Sequence, residues 1–381
     1  MIRGRLLHLT LAAAACALIW VAPAQAATTT TFADVSAKSW ARTQIGWAAA
    51  NGWVQPRTAS TFGPQRAATR MAAARMLAHL AKLEHGTAIA ANPYTQAVTA
   101  GWIGAGTGAD QQIQQWELDQ GVLRVLGVMP QAKAIGHLVT ADGWRPPLPF
   151  AFGIEQAIRA IGARTNAPDG FDAWETFPKT PLRRLNLAVE AYAVAHLSSY
   201  WQYSLANEAK VATALPAYTP LKRAVLGMAL KWAGSPYVWA GEWPTPASPY
   251  GAQASGGFDC SGFVWWILKE HTYTLPGGFS WSADAAIQGR STYDMAQALP
   301  VKKRIPYAKL HAGDILFWST APDGVNTNWQ TVYHAGIYLG QGWAIDSIGS
   351  GDGVTLNFMG AGAGWFHDAF AFGWRVMPAG R

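Results

Sequence analysis

The sequence predicts a multidomain protein, with an all-α N-terminal bundle built from repeats and a C-terminal α+β domain containing an antiparallel sheet. Three observations support this prediction. The chain has 381 residues, a length typical of two or three domains. Apolar residues recur at helical spacing in much of residues 32–200. After residue 310, short apolar runs are instead separated by the glycine-containing turns of hairpins.

The composition favours a well-packed exported protein. Half of the residues are hydrophobic, 13% are charged and 20 are tryptophan, which we expect mainly in the cores. The chain has no dense run of Lys or Arg, so we expect no nucleic-acid partner. The chain has 29 basic and 22 acidic residues, so its net charge is positive, which favours attraction to an anionic cell envelope.

Residues 1–26 have the pattern of a secretory signal peptide. Two arginines precede an apolar stretch, residues 6–21, and residues 24–26 read Ala-Gln-Ala, a cleavage signal. The apolar stretch is short for a membrane span and continues past Cys16, which disfavours lipid attachment there. We expect a secreted protein, cleaved after Ala26, with no integral membrane segment.

Residues 32–83 predict two helices around a turn. Apolar residues at helical spacing in 40–48 form the first helix, and Asn-Gly at 51–52 ends it. A turn at 61–64 leads to a second helix from about Thr69 to Leu80.

The order of these parts resembles the S-layer homology repeat. Met71-Ala72 stand where that family usually carries an acidic residue. The residues that carry the resemblance are Phe32, Asp34, Val35, Trp40, Ala41, Asn51, Gly52, Phe62, Pro64, Thr69 and Arg70.

Internal similarity predicts further repeats. Residues 176–189 parallel residues 61–75, and Ala-His-Leu follows both. A weaker unit lies between them, so three units form one bundle. An ordinary helical domain with chance similarity is the alternative. The expected units are about 32–83, 90–140 and 150–200, within residues 30–205.

The resemblance implies attachment to an anionic secondary cell-wall polysaccharide. Arg70 and Arg184 match the position at which a basic residue would face acidic sugar substituents. Residues 206–220 are expected to form a linker, and a second domain is expected at 221–381.

Cys260 is the single cysteine outside the signal segment, so no intrachain disulfide is expected. It follows a glycine pair and begins an apolar helical run. A cysteine at a helix N-terminus lies at the positive end of the helix dipole, which favours the nucleophilic thiolate. A buried structural cysteine is the alternative.

A predicted hairpin supplies the partners of this cysteine. Residues 333–339 and 343–347 read as strands joined at 340–342, with His334 and Asp346 equidistant from Gly340. Antiparallel pairing about that centre would place the two side chains near each other, unless the register slips. An imidazole can take a thiol proton, and a carboxylate can orient the imidazole.

Four stretches, 236–239, 258–264, 313–317 and 334–340, resemble the NlpC-type cell-wall cysteine peptidases. The likeness covers about residue 221 to the C-terminus. It implies a papain-like fold, in which a helix bearing the cysteine packs on an antiparallel sheet bearing the histidine. It also implies hydrolysis of peptidoglycan stem peptides, often between D-glutamate and a diamino acid.

The family motifs assign roles residue by residue. Cys260 matches the nucleophile and His334 the base, while Asp346 stands at a third polar position that often holds His. Tyr237, Asp259 and Ser261 match positions lining the substrate cleft. No metal or cofactor is expected.

Together these features predict a wall-associated peptidoglycan endopeptidase acting through a thioester. Three alternatives remain open: an amidase cutting between the glycan and the first L-alanine, a non-catalytic wall-binding protein, and an acyl transferase on another substrate.

Overall fold

The computed structural model describes most of the chain outside the expected signal peptide, which lies outside the described residues. None of the described helices is long and apolar enough to cross a membrane. The described residues are 31–106, 108–164, 167–168, 171, 174–248, 251–253, 256–270, 275, 287–349 and 353–377.

The N-terminal half is helical, as predicted. Thr69, the expected start of the second helix, is its N-cap and accepts a hydrogen bond from the Ala72 N–H. The helices are α1 (Arg42–Ala50), α2 (Arg70–His85), α3 (Pro93–Thr99), α4 (Gln115–Val125), α5 (Met129–Gly136), α6 (Phe152–Ala160), α7 (Arg184–Ala195) and α8 (Trp201–Glu208).

A common local order recurs three times in this half. A helix ends, a glycine with positive φ follows, and an extended segment then leads into the next helix, α2, α4 or α7. The three extended segments pair with one another, so the three helices begin side by side. The glycines are Gly52, Gly101 and Gly162, and the paired residues are Ala67–Arg183, Thr69–Gln112 and Gln114–Pro181.

The C-terminal half combines helices with an antiparallel sheet, as predicted. Its helices are α9 (Pro220–Lys231), α10 (Cys260–Trp265), α11 (Thr292–Ala298) and α12 (Trp365–Asp368), and a π-helical turn, Trp266–Glu270, follows α10. The strands are β1 (Glu242–Trp243), β2 (Ala247–Ser248), β3 (Gly251–Ala252), β4 (Gly257–Phe258), β5 (Arg304–Ile305), β6 (Ile315–Ser319), β7 (Val332–Gly340), β8 (Trp343–Ile348), β9 (Gly353–Phe358) and β10 (Phe370–Trp374).

The main sheet positions the functional side chains. Its six described strands run in the order β5-β10-β6-β7-β8-β9, and all neighbours are antiparallel. Helix α10 packs on β7 and β8 through apolar residues such as Phe263 and Val264, which are fully buried. A helix that begins at the cysteine therefore lies against the strand that carries the histidine.

The segment 206–220 differs from the expected linker. It completes α8, forms a 3-10 helix at Ala209–Thr213, and is packed against the rest of the protein. Leu215 is fully buried, and the Tyr218 hydroxyl donates a 2.6 Å hydrogen bond to the Leu339 carbonyl of β7. The prolines of this segment made it resemble a linker, but its apolar side chains are buried against the rest of the protein. One continuous hydrophobic core joins both halves.

Candidate active site

Cys260 is placed by a tightly built turn between β4 and α10. Asp259 is the N-cap of α10, and its Oδ1 accepts hydrogen bonds from the Gly262 N–H at 2.6 Å and the Ser261 hydroxyl at 2.9 Å. A Cβ at Gly262 would lie 2.0 Å from the Gly241 carbonyl oxygen, so only glycine fits there. Cys260 is thus the first helical residue, where backbone N–H groups have no partner within the helix.

Arg290 holds this turn from the other side. Its guanidinium donates to both Asp259 oxygens at 3.1 Å, to the Ser261 hydroxyl at 2.9 Å and to the Gly241 carbonyl at 2.8 Å. It also contacts Glu242 at 3.2 Å. Sequence reasoning missed this residue, because an isolated arginine thirty positions after the cysteine shows no periodic or spacing signal.

His334 and Asp346 lie on the same face of neighbouring strands. Gly336, not His334, is directly opposite Asp346, because the pairing of β7 with β8 is centred on Gln341 and not on Gly340. The two side chains are therefore diagonal neighbours, separated by 3.6 Å between His334 Nε2 and Asp346 Oδ1. The predicted proximity is present, but the register is shifted by two residues from symmetry about Gly340.

Gly336 has no side chain, and this leaves room for Asp346 on the neighbouring strand. A Cβ at position 336 would lie 2.8 Å from Asp346 Cβ and 3.2 Å from the Trp318 ring. Because strand residues two apart share a face, a side chain here would stand between the carboxylate and His334.

The charges of Cys260, His334 and Asp346 are coupled. Burial alone would raise the pKa of the Cys260 thiol, but its contact with His334 brings that pKa below its usual value. Burial disfavours the charged form of His334, yet Asp346 and Cys260 raise its pKa to about 10. Burial raises the pKa of Asp346, and His334 and Asn357 oppose this. The arrangement favours a thiolate–imidazolium pair.

Aromatic rings surround the imidazole. The Trp318 and Trp365 ring centroids lie 5.2 and 5.5 Å from that of His334. The Trp365 indole N–H donates to the Tyr333 hydroxyl at 2.6 Å. These rings limit the orientations open to His334. Because Nε2 faces Asp346, Nδ1 is the nitrogen left to face the thiol.

An open cleft of about 460 Å³ leads to Cys260. The three residues that the sequence predicted to bind substrate, Tyr237, Asp259 and Ser261, all line it. The cleft also contains residues that the sequence did not single out. They are Trp239, Ala240, Glu242, Arg290, Ser291, Thr292, Tyr293, Val332 and Tyr333.

Both arginines predicted to bind polysaccharide join neighbouring repeat units instead of presenting a free cation. Arg70 is buried, forms an ion pair with Glu117 and donates to the Gly104 carbonyl at 2.8 Å. Arg184 is half-buried and donates to the Phe62 carbonyl at 2.9 Å, with its guanidinium carbon 4.8 Å from the Phe62 ring centroid. The Glu117 carboxylate, backbone carbonyls and the Phe62 ring thus hold these two guanidinium groups inside the bundle.

Comparisons with known proteins match both halves of the chain. The S-layer homology domain matches at residues 31–74, which cover the first predicted unit in part, and the NlpC/P60 family matches at residues 234–367.

Two curated relatives come from Bacillus subtilis (strain 168). The bifunctional muramidase/DL-endopeptidase CwlT is 31% identical over 127 residues, 33% of this chain and 29% of that protein. The gamma-D-glutamyl-L-lysine dipeptidyl-peptidase is 30% identical over 124 residues, 32% of this chain and 31% of that protein. The chain thus spans less than a third of either relative.

A solved structure, the NlpC/p60 domain of the peptidoglycan hydrolase SagA, aligns at 27% identity with a TM-score of 0.24. The alignment covers 41% of this chain and 98% of that one. These matches confirm the predicted resemblance: residues 234–367 match the NlpC/P60 family, and residues 31–74, which precede them, match the S-layer homology domain.

Proposed function

We propose that this protein is a wall-associated cysteine endopeptidase that cleaves peptidoglycan stem peptides at the bond between D-glutamate and a diamino acid. One observation carries the proposal: Cys260 begins a helix at an open cleft, and His334, 3.6 Å from the buried Asp346, lowers the pKa of its thiol. A purely structural cysteine needs none of these features.

The geometry supports a two-step hydrolysis. The Cys260 thiolate attacks the amide carbonyl carbon, and the resulting oxyanion lies near the Cys260 backbone N–H. The His334 imidazolium gives its proton to the leaving amine, which leaves a thioester on Cys260. Neutral His334 then takes a proton from water, and the resulting hydroxide attacks the thioester. This releases the thiolate and a carboxylic acid, which loses its proton to solvent.

The cleft suits a substrate that carries sugar rings. Arg290 lies at its wall, where its guanidinium is held by Asp259 and Glu242 and shapes the floor beside the thiol. Trp239 is 72% exposed, and Tyr293 and Tyr333 are also exposed, so flat apolar surfaces border the thiol. The activities in the names of the two Bacillus subtilis relatives, a DL-endopeptidase and a gamma-D-glutamyl-L-lysine dipeptidyl-peptidase, support the choice of bond.

Digestion of purified peptidoglycan tests the activity. The protein should release stem-peptide fragments, and Cys260→Ala should release none, because no other cysteine is available in the described chain. Mass spectrometry of the products identifies the bond. Products cut next to muramic acid would favour the amidase, while intact peptidoglycan after incubation with the unaltered protein would refute hydrolysis.

We further propose that the N-terminal repeats hold the protein on anionic wall polysaccharide. Co-sedimentation with purified walls should be lost when the polysaccharide is removed by acid. Arg184→Ala should weaken sedimentation several-fold, because the contact between the first and third units is lost. Arg75→Ala removes the same charge from α2 and serves as control. Equal sedimentation with stripped walls would contradict this proposal.

A further inference from the structure

The edge of the main sheet is closed by a side chain from the helical half. Gln156 of α6 donates through Nε2 to the Leu356 carbonyl at 3.1 Å, and its Oε1 accepts from the Leu356 N–H at 3.3 Å. The same Nε2 donates to Glu208 at 2.8 Å. A buried amide that both donates to and accepts from one strand residue takes the place of a neighbouring strand. Gln156 therefore helps to fix β9 in position, together with the backbone hydrogen bonds that join Val354 of β9 to Gly234 at 2.7 Å and to Ser235 at 2.8 Å.

The residue after Leu356 reaches the catalytic carboxylate. Asn357 Nδ2 donates to Asp346 Oδ1 at 3.2 Å and to Thr355 Oγ1 at 3.3 Å. Thr355 is directly opposite Asp346 in the β8–β9 pairing. Asn357, two residues further along β9, is therefore the diagonal neighbour of Asp346 on the same face. The Asp346 oxygen that Asn357 holds is the one 3.6 Å from His334 Nε2.

Asp346 has few other restraints. It is fully buried, and its second oxygen, Oδ2, has no hydrogen-bond partner among the described residues. Rotation of the carboxylate would exchange the two oxygens and move the held one away from the imidazole. The Asn357 amide is the contact that distinguishes them.

We propose that Asn357 is a positioning residue for the Asp346–His334 pair, and that the helical half contributes to this positioning through Gln156. The inference rests on the proposed function in treating this pair as catalytic. It makes the orientation of the imidazole depend on Gln156, a residue in the other half of the chain that lies two hundred positions from its strand partner Leu356.

Four full-chain variants test the inference. Asn357→Asp keeps the size of the side chain but replaces the amide donor with a second carboxylate, and Asn357→Gln keeps a donor. Gln156→Leu removes both bonds to β9. Gln112→Leu is the matched control, because Gln112 also donates to a backbone carbonyl, that of Leu182, but only within the helical half.

The main readout is the pH profile of Cys260 alkylation by iodoacetamide, measured without substrate. Asn357→Asp and Gln156→Leu should shift its midpoint to higher pH and lower kcat on peptidoglycan fragments about tenfold, with less effect on KM. Asn357→Gln should recover part of the loss. Gln112→Leu should change the melting temperature alone.

An unchanged alkylation profile in both Asn357→Asp and Gln156→Leu would overturn the inference, whatever their stability. If Gln156→Leu does not fold, the two Asn357 variants decide. The readout is independent of the substrate: a shifted alkylation midpoint with no peptidase activity in the unaltered protein would remove the proposed function and leave the positioning of the pair supported.

Discussion

At the scale of single residues, the reactivity of Cys260 depends on a charge that it does not touch. Asp346 is fully buried and stabilises the imidazolium of His334, which in turn stabilises the thiolate. Each step is electrostatic and takes place away from bulk water, where screening is weak. Removing the negative charge of Asp346 should therefore raise the pKa of the Cys260 thiol.

The variant Asp346→Asn tests this coupling. Because Asp346 raises the pKa of His334, its loss lowers that pKa, and the pKa of Cys260 rises as the imidazolium partner is depleted. Alkylation of Cys260 at pH 6 should slow by roughly tenfold or more and should approach the unaltered rate above the ordinary thiol pKa. Asp368→Asn, at an exposed carboxylate beside His367, should change nothing. Identical pH profiles for the unaltered protein and Asp346→Asn would contradict the coupling.

The sequence identified Cys260, His334 and Asp346 because each has a local context: a helix start, or a strand beside a hairpin turn. Arg290 was missed because its role depends on the folded path of residues 241 and 259, which no linear pattern encodes. Arg70 and Arg184 illustrate the converse. Their motif is local, but their partners lie on neighbouring units and became visible only in the fold.

At the scale of elements, the β7–β8 hairpin sets the geometry of the site. Its strand pairing was predictable from the apolar runs and the glycine turn, but its register was not. The pairing is centred on Gln341 and not on Gly340, so the strand partner of Asp346 is Gly336 and not His334, and this difference of two residues preserves the face. A shift of one would have placed the carboxylate on the opposite side of the sheet.

Gly336→Ala should impair this hairpin. The new Cβ would lie 2.8 Å from Asp346 Cβ, so the carboxylate must move away from His334. We expect kcat/KM to fall at least tenfold and stability to fall by about 1–3 kcal/mol. Gly108→Ala is the control, since nothing lies within 4 Å of a Cβ built there. Full activity of Gly336→Ala on peptidoglycan fragments would show that the glycine is not needed for catalysis.

At the scale of the whole molecule, the two halves share one core. Their separation was predicted from a proline-containing stretch, yet burial of Leu215 and Tyr218 makes residues 206–220 part of the structure. Composition identified a boundary in the sequence, but it could not predict packing across that boundary, because partners such as Leu339 of β7 are distant in the sequence. The helical and α+β classes were predictable, whereas their shared core was not.

The fragment 221–381 should therefore be less stable than the same region in the full chain. It lacks the Tyr218 hydrogen bond to Leu339 and the Gln156 contacts with β9. Thermal unfolding followed by circular dichroism should give a lower melting temperature, and the fragment 206–381 should recover part of the difference. Equal melting temperatures for fragment 221–381 and the full chain would indicate independent domains.

The pairing of the β9 edge with Gln156 and with the backbone of Gly234 and Ser235 also has a consequence for behaviour at high local concentration. Open sheet edges recruit strands from other molecules and start aggregation. Here one edge of the sheet ends in β5, a strand of two residues, and the other has the Gln156 amide bonded to its backbone. Many copies crowded on one surface would find little backbone available for edge-to-edge pairing, so the same contact that fixes β9 also protects the protein from self-association.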